Sequence, residues 1–385
     1  MAPKTRIPPR TWPLTLREEG GVPAVPPAAA VRGAARLRGR LAWLNDQLGL
    51  PMQVLLERLL GVLDAPALYA FVELDLPDRL HRPSTAVELA TATGCDAAAL
   101  ERLLAYLASR GCVRRDRRGR YSANRVTRLL THAGGWGGWV RLIGSPWTMA
   151  SYSQILGAVR DGTDPIVATH GVDFFAYLAA HPEAAEAFHD AMAAGARLQA
   201  LMIQGSIDVS GARAVLDVGG GTGPLIAQLL ASQPGFTGAV LDLAEARVGA
   251  LATFEEAGVS DRAEFVVGDF FESVPTGFDV HLLTAVLHDW SDDDAVRILR
   301  NCVAALAAGG RIIVVDSELE PGLRNAFAQS TDALMLAYTP GGRERTADEF
   351  QVLWDRAGLQ CVDQATLPSL LTRYELRPDA AASAR

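Results

Sequence analysis

No apolar run in this chain is long enough to cross a membrane, which takes about 20 consecutive residues, and its first residues lack the apolar core of a secretory signal. A cytoplasmic protein without a membrane partner is expected. Cysteine is scarce. Cys95, Cys112, Cys302 and Cys361 are scattered without CxxC or any other ligand spacing, which predicts reduced thiols, Cys302 and Cys361 in a core, and no metal site. Positive charge is short as well: residues 241–300 hold thirteen acids against four arginines in a chain of net charge −8, which argues against a nucleic-acid surface on that half. The rest, 49% hydrophobic and 21% charged over 385 residues, is an ordinary composition, and the length allows two domains.

Glycine, by contrast, is concentrated in one place. In AVLDVGGGTG, which begins at Ala214, an apolar run ends in Asp217, and Gly219, Gly220, Gly221 and Gly223 follow before a helical pattern opens at Pro224. That order predicts a buried parallel strand, a tight turn and a helix N-terminus, with a small-molecule floor at the carboxyl edge of a sheet. The dinucleotide fingerprint G-x-G-x-x-G is missing: counted from Gly219 its last glycine falls on Pro224, and counted from Gly221 it falls on Ile226. A dehydrogenase is therefore disfavoured, and a nucleoside ligand without phosphate, S-adenosylmethionine foremost, fits better. A turn that merely joins strand to helix is the plain alternative.

Residues 1–35 carry seven of the 21 prolines, with Arg and Ala between them and no periodicity, and are expected to form a disordered arm. Residues 36–135 read as helical and then as a winged helix. Ser84 or Thr85 caps one helix, Asp96 caps a second with Leu100, Leu103, Leu104 and Leu107 on one face, and residues 112–121 read as a hairpin turning at Arg118 and Gly119. Six arginines from Arg110 to Arg120 raise a DNA-binding, ligand-sensing regulator as a rival. They sit in the wing, however, and the second helix offers only Glu101 and Arg102 to base edges, so a structural or dimer-forming domain is favoured. GGWGG at 134–138 reads as a hinge into residues 136–205, a helical linker rich in aromatics and Met. Most of these are core, with Phe188 and Met192, four apart on one helix face, as candidates for an apolar substrate pocket. In residues 206–380, strand candidates at 214–216, 239–241, 264–267, 280–285 and 311–315 alternate with helix-length segments, and a strand pair follows between 360 and 378. This predicts an α/β, Rossmann-like, doubly wound and mostly parallel sheet.

Right-handed crossovers place the parallel strand ends on one rim, and acids follow the strands there. Asp217 ends the first strand, close to where a ligand ammonium would sit. Asp242 ends the second, where a carboxylate can accept both hydroxyls of a ribose, and Asp269 and Phe270 after the third offer an amine acceptor and a flat face for adenine. The fourth strand leads into Leu287, His288, Asp289 and Trp290, ahead of Ser291, a helix cap. An imidazole at that edge, with an ordinary pKa of about 6.5, can take a proton from a weakly acidic hydroxyl. Asp316, at the end of the fifth strand, and Glu344, in GGRERTADEF, are the carboxylates able to orient it. His132 and His281 are read as packed or surface residues.

LDVGGGTG, the VLDL around Asp242, GDFF at 268–271, VLHDW at 286–290 and MLAYTPGGRERTADEF at 335–350 resemble the S-adenosylmethionine-dependent small-molecule O-methyltransferases of the plant type, including their bacterial natural-product branch. The resemblance spans residues 37–378. It implies the methyltransferase fold, a homodimer formed largely through the N-terminal winged-helix domain, and a cofactor, released as S-adenosylhomocysteine, held by Asp217, Gly219, Gly220, Gly221, Asp242, Leu243, Asp269 and Phe270. It also implies His288 as general base with Asp316 and Glu344 beside it, and Phe188, Met192, Leu334, Met335 and Thr339 around a phenolic or polyketide-like acceptor. Thr284 and Ala285 replace a Lys and a Trp of the plant members, and Thr339 replaces an Asn, which argues against phenylpropanoid acceptors. The expected reaction is in-line methyl transfer to oxygen. Transfer to nitrogen, sulfur or carbon on the same scaffold is the competing chemistry.

Overall fold

In the computed structural model, which describes residues 17–19, 22–233, 235–320, 327–339 and 341–379, the chain forms two compact units. One holds the described residues up to Trp43, Leu198–Gln329 and the chain from Glu344 onward. The other holds Leu44–Arg197 and Ser330–Arg343.

The first unit is built on a seven-stranded sheet. Its strands are β1 (Ala214–Val218), β2 (Thr237–Asp242), β3 (Ala263–Val267), β4 (Val280–Thr284), β5 (Arg311–Asp316), β6 (Leu359–Thr366) and β7 (Thr372–Pro378), in the spatial order β6-β7-β5-β4-β1-β2-β3. Pairings among β1 to β5 are parallel, and β7 lies antiparallel between β5 and β6. Side chains alternate across the sheet, so each face carries its own core. Val215, Val240, Leu282 and Ile313 pack on one side, and Leu216, Leu241, Leu283 and Val314 on the other. The predicted doubly wound sheet is what forms. The chain winds from β1 outward to β3, then returns to build β4 and β5 on β1's other side. Strand order therefore reverses at the β1–β4 boundary, and in sheets of this kind ligands bind outside the strands' carboxyl ends at that point.

The second unit contains the winged helix. Thr85 closes a capping box with Glu88 ahead of the helix Ala86–Thr93, and Asp96 accepts from the Ala99 amide at 2.7 Å to start the helix Ala97–Ser109. Leu100, Leu104 and Leu107 on the latter are buried, and the wing strands Arg114–Arg115 and Tyr121–Ser122 pair antiparallel. Three of the six arginines are held within the unit: Arg110 by Asp64, Arg115 by Glu101 and Arg120 by the Pro83 carbonyl.

Two expectations need correction. The arm expected to stay disordered to residue 35 is regular well before that, with Arg17–Glu19 paired to Val22–Ala24 and a helix running Ala28–Leu48; its first sixteen residues lie outside those described. Pro26 and Pro27 precede the helix rather than interrupt it, and the Ala and Arg that follow are strong helix formers. The GGWGG segment is not a hinge. A β-carbon on Gly138 would lie 2.6 Å from the Ala191 backbone nitrogen, and one on Gly134 would meet the Arg128 carbonyl oxygen at 2.1 Å, so these glycines permit close packing. No helix among the described residues is long and apolar enough to cross a membrane.

Candidate active site

The glycine turn after β1 is shaped by the carboxylate that precedes it. Asp217 is buried, and a β-carbon on Gly220 would lie 2.6 Å from its Cγ, so only glycine lets the backbone pass over it. Burial raises Asp217 to about 7, and the neighbouring Asp242 adds to the effect. Gly219 and Gly221 adopt φ of 70° and 57°. Asp242, at the end of β2, accepts from the Gly221 and Leu243 amides, each at 2.7 Å. Each of its oxygens keeps a second lone pair for a ligand hydroxyl. Leu243 beside it is exposed. Asp269 after β3 is used locally, accepting from the Phe271 amide at 2.7 Å.

The turn also gathers the neighbouring loops. A β-carbon on Gly219 would lie 3.1 Å from Val286 Cγ2 and 3.5 Å from Phe270 Cε1, so the glycine turn, the loop after β3 and the approach to His288 share one edge of the sheet. Trp290 packs edge-on against Phe270 and Phe271, at centroid distances of 5.9 and 4.6 Å. Asn301, on the helix Asp292–Ala305, donates to the carbonyls of Phe270 and Phe271 at 2.8 and 3.0 Å. Sequence reasoning missed Asn301. Its bonds go to main-chain carbonyls, which leave no sequence pattern.

His288 sits in a short 3₁₀ turn, Leu287–Asp289, with a side chain 19% exposed. Its Nδ1 lies 3.2 Å from Glu344 Oε1 and 3.6 Å from Asp316 Oδ1, both nearly inaccessible. Both expected carboxylates therefore converge on the ring. A third, Asp289 Oδ1, stands 3.5 Å from Nε2, and the sequence alone gave it no role. Burial by itself would lower the imidazole pKa, but Asp316, Asp289 and Glu344 outweigh it and raise it to about 10. Burial in turn raises Asp316 to about 6. The surrounding carboxylates thus favour the protonated form of the ring. One Asp316 oxygen, bonded to the Ser317 amide at 2.9 Å, faces the ring, and its Oδ2 is buried without a partner among the described residues. One ligand atom each from His288, Asp316 and Glu344 lie within 4.8 Å of one another, a group that could also hold a metal ion.

The five expected acceptor-pocket residues all belong to the second unit. Phe188 and Leu334 join a cluster with Trp147, Phe174, Tyr177 and Tyr338, in which the Phe188 and Phe174 rings meet at 5.4 Å. Met192 lies further along the same helix, Pro182–Ile203, and is half-exposed. Thr339 turns its hydroxyl back to the Met335 carbonyl at 3.3 Å.

Comparison with known proteins gives consistent matches. A family model described as the O-methyltransferase domain matches residues 152–360, and one described as the O-methyltransferase dimerisation domain matches residues 56–133. The mitomycin biosynthesis 6-O-methyltransferase of Streptomyces lavendulae is 34% identical over 78% of this chain and 86% of its own. The phenazine O-methyltransferase PhzM of Lysobacter antibioticus is 33% identical over 84% of this chain and 96% of its own. Among solved structures, the O-methyltransferase NcsB1 from neocarzinostatin biosynthesis, in complex with S-adenosylmethionine and 2-hydroxy-5-methyl naphthoic acid, superposes with a TM-score of 0.70 at 31% identity, covering 82% of this chain and 96% of that one.

Proposed function

Because this chain belongs to the O-methyltransferase family, carrying both its catalytic and its dimerisation domain, we propose that it methylates a hydroxyl of an aromatic, phenol-like natural product with His288 as the base. The observation that carries this reading is the imidazole flanked by buried Glu344 and Asp316, on the sheet edge that also bears the glycine turn. The acceptor class is supported by the naphthoic acid bound to NcsB1 and by the aromatic cluster around Phe188.

The residues present suit S-adenosylmethionine: a glycine floor in which a β-carbon on Gly220 would strike Asp217 and Gly219 and Gly221 take left-handed angles, and carboxylates of Asp217 and Asp242 at successive strand ends where an ammonium and a ribose need acceptors. When bound, the cofactor supplies an electrophilic methyl group and a positive charge on sulfur. His288 takes the proton of the acceptor hydroxyl on its Nε2 side, where the partly exposed Asp289 is the near acid among the described residues. Glu344 and Asp316 hold Nδ1, fix the ring's orientation and stabilise the imidazolium that results. General-base help of this kind amounts to roughly 10²–10⁴-fold in rate. Alignment of oxygen and methyl carbon supplies the larger share, up to about 7–11 kcal/mol.

His288→Ala is expected to lose that ~10²–10⁴-fold in kcat while binding S-adenosylhomocysteine as the parent does by calorimetry. The acid-side rise of kcat with pH should vanish in the variant, since a base must shed its own proton before it can take another. Full turnover in His288→Ala would remove the base assignment, and NMR of the product showing the methyl on nitrogen, sulfur or carbon would remove the hydroxyl.

A further inference from the structure

Arg345 is a charged side chain sealed completely inside the protein. Its guanidinium grips one short stretch of chain: Nη1 donates to the Leu287 carbonyl at 2.8 Å, Nη2 to the Trp290 carbonyl at 2.7 Å, and Nε to Asp292 Oδ1 at 2.9 Å. Leu287 and Trp290 bracket His288 and Asp289. The main chain of Arg345 meanwhile forms an isolated bridge, its carbonyl accepting from the Leu319 amide at 2.9 Å and its backbone pairing in parallel with Glu318, just beyond Asp316. Its neighbour in sequence is Glu344. A single residue therefore joins the three segments that bear His288, Asp316 and Glu344.

Two physical points give this arrangement a purpose. The turn's own closure is weak, the Trp290 amide reaching the Leu287 carbonyl at 3.4 Å, and a planar fork of five N–H donors is the side chain able to take that carbonyl, the Trp290 carbonyl and a carboxylate at fixed angles. Burying a guanidinium is unfavourable, and an apolar side chain of similar volume would serve packing at least as well. The fork adds directional constraint on where the turn lies, and the distances it constrains are the 3.2 and 3.6 Å between His288 Nδ1 and the two carboxylates.

We propose that Arg345 is a positioning residue of the reaction, locking the 287–290 turn so that the imidazole stays against Glu344 and Asp316 while its Nε2 side faces the acceptor. The inference rests on His288 being the base. A lysine is a point charge that reaches only part of this set, so in Arg345→Lys kcat should fall about 10²-fold, with affinity for S-adenosylhomocysteine within about twofold of the parent. The midpoint of the acid-side rise in kcat should move to lower pH, because an imidazole drifting from its carboxylates holds its proton less firmly. Added to His288→Ala, Arg345→Lys should cost nothing further, since it acts through the ring.

A residue that merely stabilises the fold gives another pattern: lower thermal midpoint, cofactor affinity falling in step with turnover, an unmoved pH midpoint, and an additional loss in the double variant. That pattern overturns the proposal, as does unchanged kcat in Arg345→Lys. Should Arg345→Lys fail to fold, Asp292→Asn at the half-exposed end of the same clamp is read by the same measurements, with a smaller expected loss of about tenfold. Full turnover in His288→Ala alone would instead sink the base assignment, so the two failures are distinguishable.

Discussion

His281 shows what a buried histidine does when nothing pairs with it. It lies in β4 between Leu216 and Ile312 of the adjoining strands, fully inaccessible, with both ring nitrogens unpaired among the described residues. Burial holds the ring down at about 4, from an ordinary 6.5, so it is neutral in the folded protein. The unfolded chain takes up a proton below pH 6.5 that the folded chain refuses until about pH 4. Stability from this residue is therefore complete above pH 6.5 and drains away as the pH falls to 4, by an amount on the order of 3 kcal/mol. Urea midpoints of His281→Leu should fall less steeply over that interval than those of the parent; equal slopes would mean the ring has another outlet. His288, seven residues on, is pushed the opposite way because carboxylates surround it. Position relative to a strand end separated the two histidines in the sequence, and the same criterion singled out the acids Asp217, Asp242 and Asp269. Arg345 and Asn301 could not be read that way, because their partners are carbonyls of other loops, present in every sequence alike.

At the scale of elements, the departure from β4 is a strained point beside the site. Ala285 has φ of 53°, a left-handed conformation that disfavours any residue with a β-carbon by about 1–2 kcal/mol, while its amide still bonds to the Val315 carbonyl at 2.9 Å. That reversal redirects the chain out of the sheet and into the turn carrying His288. Ala285→Gly should relieve the strain and raise stability by about 0.5–1 kcal/mol after glycine's greater unfolded-state freedom is counted, whereas Ala285→Val should lose roughly 2 kcal/mol or more. Chemical denaturation of the pair tests this, and a glycine variant less stable than the parent would show that the methyl group is packed rather than strained. Strands of the sheet were legible because buried parallel strands are short apolar runs with punctuation at both ends. The helix Ala28–Leu48 was not, because its opening shares composition with a proline-rich tail, and the close-packed glycines at 134–138 were misread because close packing and flexibility ask for the same residue.

At the scale of the whole molecule, an apolar surface among the described residues lies on the N-terminal part of the second unit. Leu48, Leu50, Met52, Leu55, Leu56, Leu59 and Leu60 are each 56–81% exposed, and the helix Pro51–Leu60 buries none of its residues within the chain. A contiguous apolar face of that kind marks an association surface, and the match to the family's dimerisation domain begins within this helix, at residue 56. At about 1.5 kcal/mol or more per covered side chain, seven such residues contribute roughly 10 kcal/mol from each copy. Two copies together exceed the ~4–15 kcal/mol that association costs in lost freedom, so a homodimer closed through this face is the expected state. Replacing both Leu55 and Leu59 by glutamate places charges where the partner's apolar side chains must sit, and sedimentation should then find a single 41.0 kDa chain where the parent sediments as two. Persistence of the dimer in that double variant would move the interface off the Pro51–Leu60 helix.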